Sequence, residues 1–572
     1  MSRSTRVSWI EYYSIVQIKV YQTDIFAKII SIGLFPTLLF ILPYNAIDPI
    51  NAPKLFFLVI TAFVCCSLAL FFRKELKSTG LRVYIILLSL FLLQMLLVMF
   101  FSGSNISVQF FGTFGRNTGF LTYFSLAVIF YFSAHSSING SANYLLRSLT
   151  ITLTISGVYG GIQAVGLDPI PWDNIFSPVI GFLGNPDFQA ALLGILGTFV
   201  VAKLLDTSLN TKQKATLFVA LSFLLVIIYE TKAKQGLLNF LAGVIVVFFV
   251  WQHSIKRGIV LYVFSFSVVS LTALIVLGIS NSGPLATILH KNSVSARQFY
   301  WDAAVRMTLE HPFLGVGLDS YGEWYRSSRT EEAAITFGPN AVSDVAHNVL
   351  LDFSSMGGIP LLTFYLLINL LVLVAGIKVI SKSKKYDATF AAIFAGWVAY
   401  QAQSLISINQ IGLVTTGWIL AGMIVGIEIQ SRRIDSTLDK IQTKKVSSRM
   451  NHPKRPVALF LGVVIGAGIS SMPMLSSVKF RSEVQSGDAA RIQAAAYLPP
   501  LESFRMYQVA SVLEDNELFE EALTVARDAV KVYPRSYDSW NIIYSSPAAS
   551  ESEKAQALAK IKLLDPFNPD FK

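Results

Sequence analysis

RVYIILLSLFLLQMLLVMFF (82–101) contains one arginine, one glutamine and no acid. A helix rises about 1.5 Å per residue, so twenty such residues cross the roughly 30 Å of a bilayer's hydrocarbon core. In lipid the backbone must satisfy its own polar groups, and a helix does so within one segment. Outward from this stretch, similar runs recur at 28–44, 54–72, 117–133, 147–165, 187–204, 215–230, 235–251, 258–279, 358–380, 388–406, 411–429 and 456–474. That makes roughly thirteen potential spans of about 17–25 residues or slightly fewer. The chain is 53% hydrophobic and only 14% charged, against about 25% charged in soluble domains. The expected fold class is therefore all-α: a polytopic membrane protein with about 12–13 transmembrane helices.

Residues 1–27, with Arg3, Arg6 and Lys19, read as a cytoplasmic leader to a retained first helix rather than a cleaved signal. Cys65 and Cys66 are adjacent within the second run, where a disulfide between them is strained and no metal-ligand spacing exists. The net charge of +11 does not point to nucleic acid, because the excess lies in loops between spans. Arg73, Lys74, Lys77 and Arg82 follow the second run, and Lys203, Lys212 and Lys214 follow the sixth. His253, Lys256 and Arg257 follow the eighth; Lys382, Lys384 and Lys385 follow the tenth. The segment 431–455, from Arg432 to Arg455, is the most basic. The positive-inside rule places these loops and the N-terminus in the cytoplasm.

The loops after odd-numbered spans then face outward. They carry Arg116 within 115–119, Asn185 within 184–188, Lys234 before Gln235 and Gly236, the long loop 280–357, and a polar group from Gln403 to Gln410. Such a set suggests a polar cavity opening at the outer leaflet. The span middles are nearly free of ionisable residues, whereas an ion-coupled transporter places charges there. Gln94 in the third run reads as a helix–helix contact.

The long loop begins with a predicted amphipathic helix over 295–310, containing Arg297 and Arg306. HPFLGVG (311–317) breaks it, since proline and two glycines permit tight turns. Asp344, His347 and Asn348 precede a short predicted helix over 349–356, closed by Gly357 and Gly358. Beyond the last span, 475–572 is charged and helical in pattern, with helices expected at 502–513, 518–532, 536–544 and 551–563. NELFEEAL (516–523), with Ala526, Ala529, Tyr533 and Pro534, looks like one tetratricopeptide unit. About three such units usually stand alone, so this tail either docks on the membrane domain or offers a face to a protein partner. The span count puts it outside the membrane.

GRNTG (115–119), GNPDF (184–188), KQG (234–236), SARQFYWDAAVRM (295–307), HPFLGVG (311–317) and AHNVLLD (346–352) before GGIPLL (357–362) together resemble the O-antigen ligase / O-antigen polymerase superfamily of bacterial membrane glycosyltransferases. Their order and shared outer face carry the resemblance. It implies a membrane domain over 28–430 in the bacterial cytoplasmic membrane. It also implies transfer of a glycan from a polyprenyl-diphosphate carrier to a glycan, lipid or protein hydroxyl, without metal, cofactor or nucleotide sugar. The chemistry agrees. Arginine forks onto phosphate oxygens, which makes Arg116, Arg297, Arg306 and Lys234 the diphosphate-binding candidates. Histidine takes a hydroxyl proton near neutral pH, which makes His347 the candidate base, with Asp344, Asn348 and Asn185 in support. Lys234 stands where relatives commonly carry arginine, and Met356 where they commonly carry an acid. A lipid-linked glycan flippase and a non-catalytic scaffold of polysaccharide assembly are the alternatives.

Overall fold

The computed structural model describes residues 24–71, 80–172, 174–254, 292–438 and 454–571. Among these residues every regular element is a helix. Ten are long and apolar enough to cross a membrane, and the chain is a multi-pass membrane protein. The expected span 28–44 corresponds to the shorter helix Ile25–Leu39, and 388–406 to the 17-residue Ala388–Ser404. The expected span 258–279 lies outside the described residues. So do most of the leader, residues 280–291 of the long loop, and 439–453 of the basic segment.

The spans pack through small residues, which allow backbones to approach closely where lipid offers no hydrophobic drive. On Ile411–Leu438, a Cβ added to Gly422 would lie 2.4 Å from Phe130 O, and one on Gly426 would lie 2.4 Å from Ala134 O. These glycines, four residues apart, form one stripe against Phe120–Ile138. The last span repeats the device: a Cβ on Gly462 would meet Val64 Cα at 2.5 Å, and one on Gly466 would meet Ile60 Cα at 2.8 Å. Lys54 is wholly buried near the start of its span. Its Nζ donates to Leu38 O (3.0 Å) and Phe40 O (3.2 Å), capping the free carbonyls at the end of the first helix.

The loops divide between the two ends of the bundle. At one end Ser141 accepts from the Asp24 amide (3.1 Å), Tyr386 donates to Ala202 O (2.7 Å), and Thr389 bonds Asn143 (2.9 Å). At the other, Asn51 donates to Gly115 O (2.6 Å), Gln410 donates to Asn51 (2.9 Å), and Ser177 donates to Glu230 O (2.9 Å). The loops after the third, fifth, seventh and eleventh spans thus share one end with the long loop.

The last span does not stop at 474. It continues as one helix from Arg455 to Gln485, and along the way its Ser477 Oγ accepts from the Asp48 amide (2.7 Å). The tail forms Ala489–Ala495, Ser503–Asp515, Phe519–Val532, Tyr537–Ser545 and Glu551–Leu564, close to the predicted helices apart from the first, which was not expected. Their apolar faces close on a core of Met506, Leu513, Leu523 and Ile561, which Val108 of the membrane domain joins. The tail is docked, not free.

Candidate functional site

The site is built on a clasp between the glycine-rich turn and the tenth span. Helix Val349–Lys382 is broken at Gly358, whose φ of 74° and ψ of 179° are not helical. Val316 N donates to Ser355 O (2.8 Å), Gly317 N to Met356 O (3.1 Å), and Ile359 N to Pro312 O (2.8 Å). So close an approach leaves no room for a side chain: a Cβ on Gly315 would lie 2.4 Å from the Met356 carbonyl carbon. Gln94 completes the clasp, its Nε2 donating to Phe313 O (2.7 Å) and Gly357 O (3.2 Å). The glutamine expected to join two helices therefore holds the loop.

His347 lies two residues before the helix that forms one side of this clasp. Asn348 caps the short helix, its Oδ1 accepting from the Leu350 (3.0 Å) and Leu351 (3.3 Å) amides, and its Nδ2 donating to Leu405 O (3.1 Å). With Asn348 so fixed, His347 holds φ 55°, the left-handed region that a bulky residue enters at a cost. Its ring stacks on Tyr300 at 5.8 Å between centroids, and among the described residues nothing hydrogen-bonds to either ring nitrogen. Burial, then the charges of Arg297 and Arg116, push His347 down to about 4. The imidazole is thus neutral at neutral pH.

Arg297 and Tyr300 lie on the helix Asn292–Glu310, three residues apart and so on one face. Arg297 is half-buried. Burial lowers its affinity for a proton, which Asp187 and Tyr300 partly oppose. Among the described residues no carboxylate lies within ion-pair distance of it. Arg306 is exposed. Nine residues on at about 100° per residue, it occupies the opposite side of the same helix and is not brought to this group.

Arg116 reaches the site already engaged. Its guanidinium pairs with Asp319 at 2.9 Å and donates to Asp344 O at 2.8 Å. Asp319 also accepts from the Thr113 (2.7 Å) and Thr118 (3.4 Å) amides and from the Thr118 hydroxyl (3.1 Å). This buried carboxylate, not singled out in the sequence, ties the two loops together. Its only sequence signal is its place two residues after HPFLGVG. Asp344 and Asn348 reach His347 through the backbone and the helix cap, not through its ring. Asn185 caps the helix Pro186–Leu204, accepting from the Asp187 amide at 2.8 Å. Lys234 is exposed at the first residue of Lys234–Ser254.

The tail covers the same end. Arg329, fully buried, forks onto both oxygens of Asp565 at 2.8 and 2.7 Å. Arg326 joins Asp565 at 3.1 Å. The Arg535 guanidinium lies 3.5 Å from the centroid of Trp324 and donates to Ser327 Oγ at 2.6 Å. His311 packs edge-on against the same Trp324 at 4.8 Å.

The arrangement is that of an all-helical membrane protein whose loops gather cations and a neutral histidine at one end. Residues 217–366 match the family model described as O-antigen ligase, and over this stretch the chain is similar to that family. That match supports glycan transfer in surface polysaccharide assembly. It contains Lys234, Arg297, Arg306, Asp344, His347 and Asn348, and leaves Arg116, Asn185 and the tail outside its bounds. No curated protein matches the chain.

Proposed function

We propose that this chain transfers a glycan from a polyprenyl-diphosphate-linked donor to a hydroxyl acceptor, at the end of the bundle that faces outward from the cytoplasmic membrane. The observation that carries this reading is the pairing of Arg297, a half-buried cation, with His347, a neutral imidazole; among the described residues no carboxylate ion-pairs with the first and nothing hydrogen-bonds to the nitrogens of the second. The acceptor hydroxyl gives its proton to His347 as its oxygen bonds the anomeric carbon. The bond from that carbon to the diphosphate breaks, and the leaving oxygens take up the charge that Arg297 faces. Arg116 adds positive field while Asp319 holds it, and Lys234 is the further cation at this end. Asn348 serves by capping the helix that presents His347, and Asp344 by holding Arg116 through its carbonyl.

A base depressed to about 4 is weak, because base catalysis is best near the working pH. The donor relieves part of this. Burial, the larger cause, remains, but the diphosphate offsets the charges of Arg297 and Arg116 that also lower His347, so the base strengthens when the donor is bound. The test is incubation of the purified chain in vesicles with a polyprenyl-diphosphate-linked glycan and a hydroxyl acceptor. Release of polyprenyl diphosphate with glycosylation of the acceptor is expected. Movement of intact donor across the bilayer without bond cleavage would instead mark a carrier.

A further inference from the structure

Between the tail and the outer loop lies an open cavity of about 260 Å³. Phe114, just before GRNTG, and Phe504 of the tail stack at 5.6 Å along it. Phe504 keeps 45% of its surface exposed, and Tyr507 adds a third ring. Glu323 and Asp344 from the loop and Asp538 from the tail also line it. Among the described residues none of these three carboxyls has a hydrogen-bond partner or an ion pair. Burial pushes Glu323 up to about 7, while Asp344 and Asp538 are exposed, so the carboxyls that line the cavity are open to a ligand that enters it.

The cations at the rim are spent. Arg326 donates to Pro339 O (2.8 Å) and Asp565 (3.1 Å) and lies over the Tyr537 ring at 3.9 Å. Arg535 is held by Ser327 and Trp324. An anion would therefore meet unpartnered carboxyls, and a small cation would meet two guanidiniums. What fits is a neutral ligand rich in hydroxyl donors, with a C–H face for the negative face of an aromatic ring. The volume, just below the roughly 300–1,000 Å³ of drug-sized sites, suits about one or two sugar rings. Asp319 lines the cavity and pairs with Arg116, and Asp344 is three residues from His347. The cavity thus adjoins the loop that carries His347.

The geometry points to a saccharide subsite between the tail and the outer loop, with Phe504 as its stacking platform and Glu323, Asp344 and Asp538 as acceptors for sugar hydroxyls. It deepens the proposed glycan transfer and rests on that reading for its place in the reaction. The experiment is saturation-transfer NMR on the full chain with two probes. One is the oligosaccharides freed by mild acid from the cell's polyprenyl-diphosphate pool; the other is those freed from its surface polysaccharide. Whichever probe binds identifies the subsite as serving the donor or the acceptor glycan. Phe504→Ala and Asp538→Asn should weaken that binding about tenfold or more, and Phe504→Tyr should restore it. His347→Ala should lower transfer by roughly 10²–10⁴-fold yet leave binding intact. Equal binding by wild type, F504A and D538N, or none by wild type, overturns the subsite. Transfer within about threefold of wild type in H347A overturns the proposed base and leaves the subsite standing.

Discussion

Arg297 and Arg329 lie on the same long loop segment and do opposite things. Arg329 has no exposed side chain, and both its fork and its remaining nitrogen are answered, by Asp565 and by Ala341 O at 3.2 Å. It is fully spent on holding the tail. Arg297 is half-buried beside His347, and among the described residues no carboxylate pairs with it, Asp187 opposing its burial only in part. A partly desolvated, incompletely compensated charge costs free energy, and such groups gather where a ligand supplies the missing charge. An arginine in a motif-rich loop says little by itself; its partner separates structure from chemistry.

Four substitutions or measurements can break or sharpen this contrast. The largest effect belongs to His347→Ala, which should lower turnover by roughly 10²–10⁴-fold with membrane insertion unchanged. Turnover within threefold of wild type would remove it as the base. Asp565→Ala leaves Arg329 buried and unpaired, a loss of about 3–5 kcal/mol. Thermal unfolding should fall and protease should open the connection after Gln485. An unshifted melting curve would mean that the ion pair does not hold the tail. Arg297→Lys keeps the charge and loses the fork, so donor kcat/KM should fall roughly tenfold while acceptor KM stays. An equal loss on both substrates would make Arg297 a general packing residue.

The smallest effect is in pH. His347 works unprotonated, so activity is present above its pKa and fails as pH drops through it. For the free protein kcat/KM should fail near pH 4. For the donor-bound protein the kcat limb should lie higher, because the diphosphate offsets Arg297 and Arg116. Coincident limbs would break the electrostatic link between donor and base.

The sequence made the membrane architecture legible because a span is a local property, a run of apolar residues of fixed length. The helix carrying Arg297 and the break at Gly358 were legible for the same reason, through periodicity and glycine placement. What escaped was long-range pairing. Asp319 and Arg116 are far apart in the chain, and Asp565 lies 236 positions from Arg329. No local pattern marks either carboxylate. Gln94 looked like an ordinary interhelical amide because its partners, two backbone carbonyls of the clasp, have no side-chain signature. Arg306 illustrates the converse: its motif was readable, but nine residues of helix turn it away from Arg297.

The most direct test is the configuration at the transferred anomeric carbon, followed by NMR on donor and product. A hydroxyl activated by His347 attacks opposite the departing diphosphate in one displacement, and this predicts inversion, as it does for single displacements in glycoside hydrolysis. Retention would require a covalent glycosyl intermediate and would contradict a base-driven direct transfer.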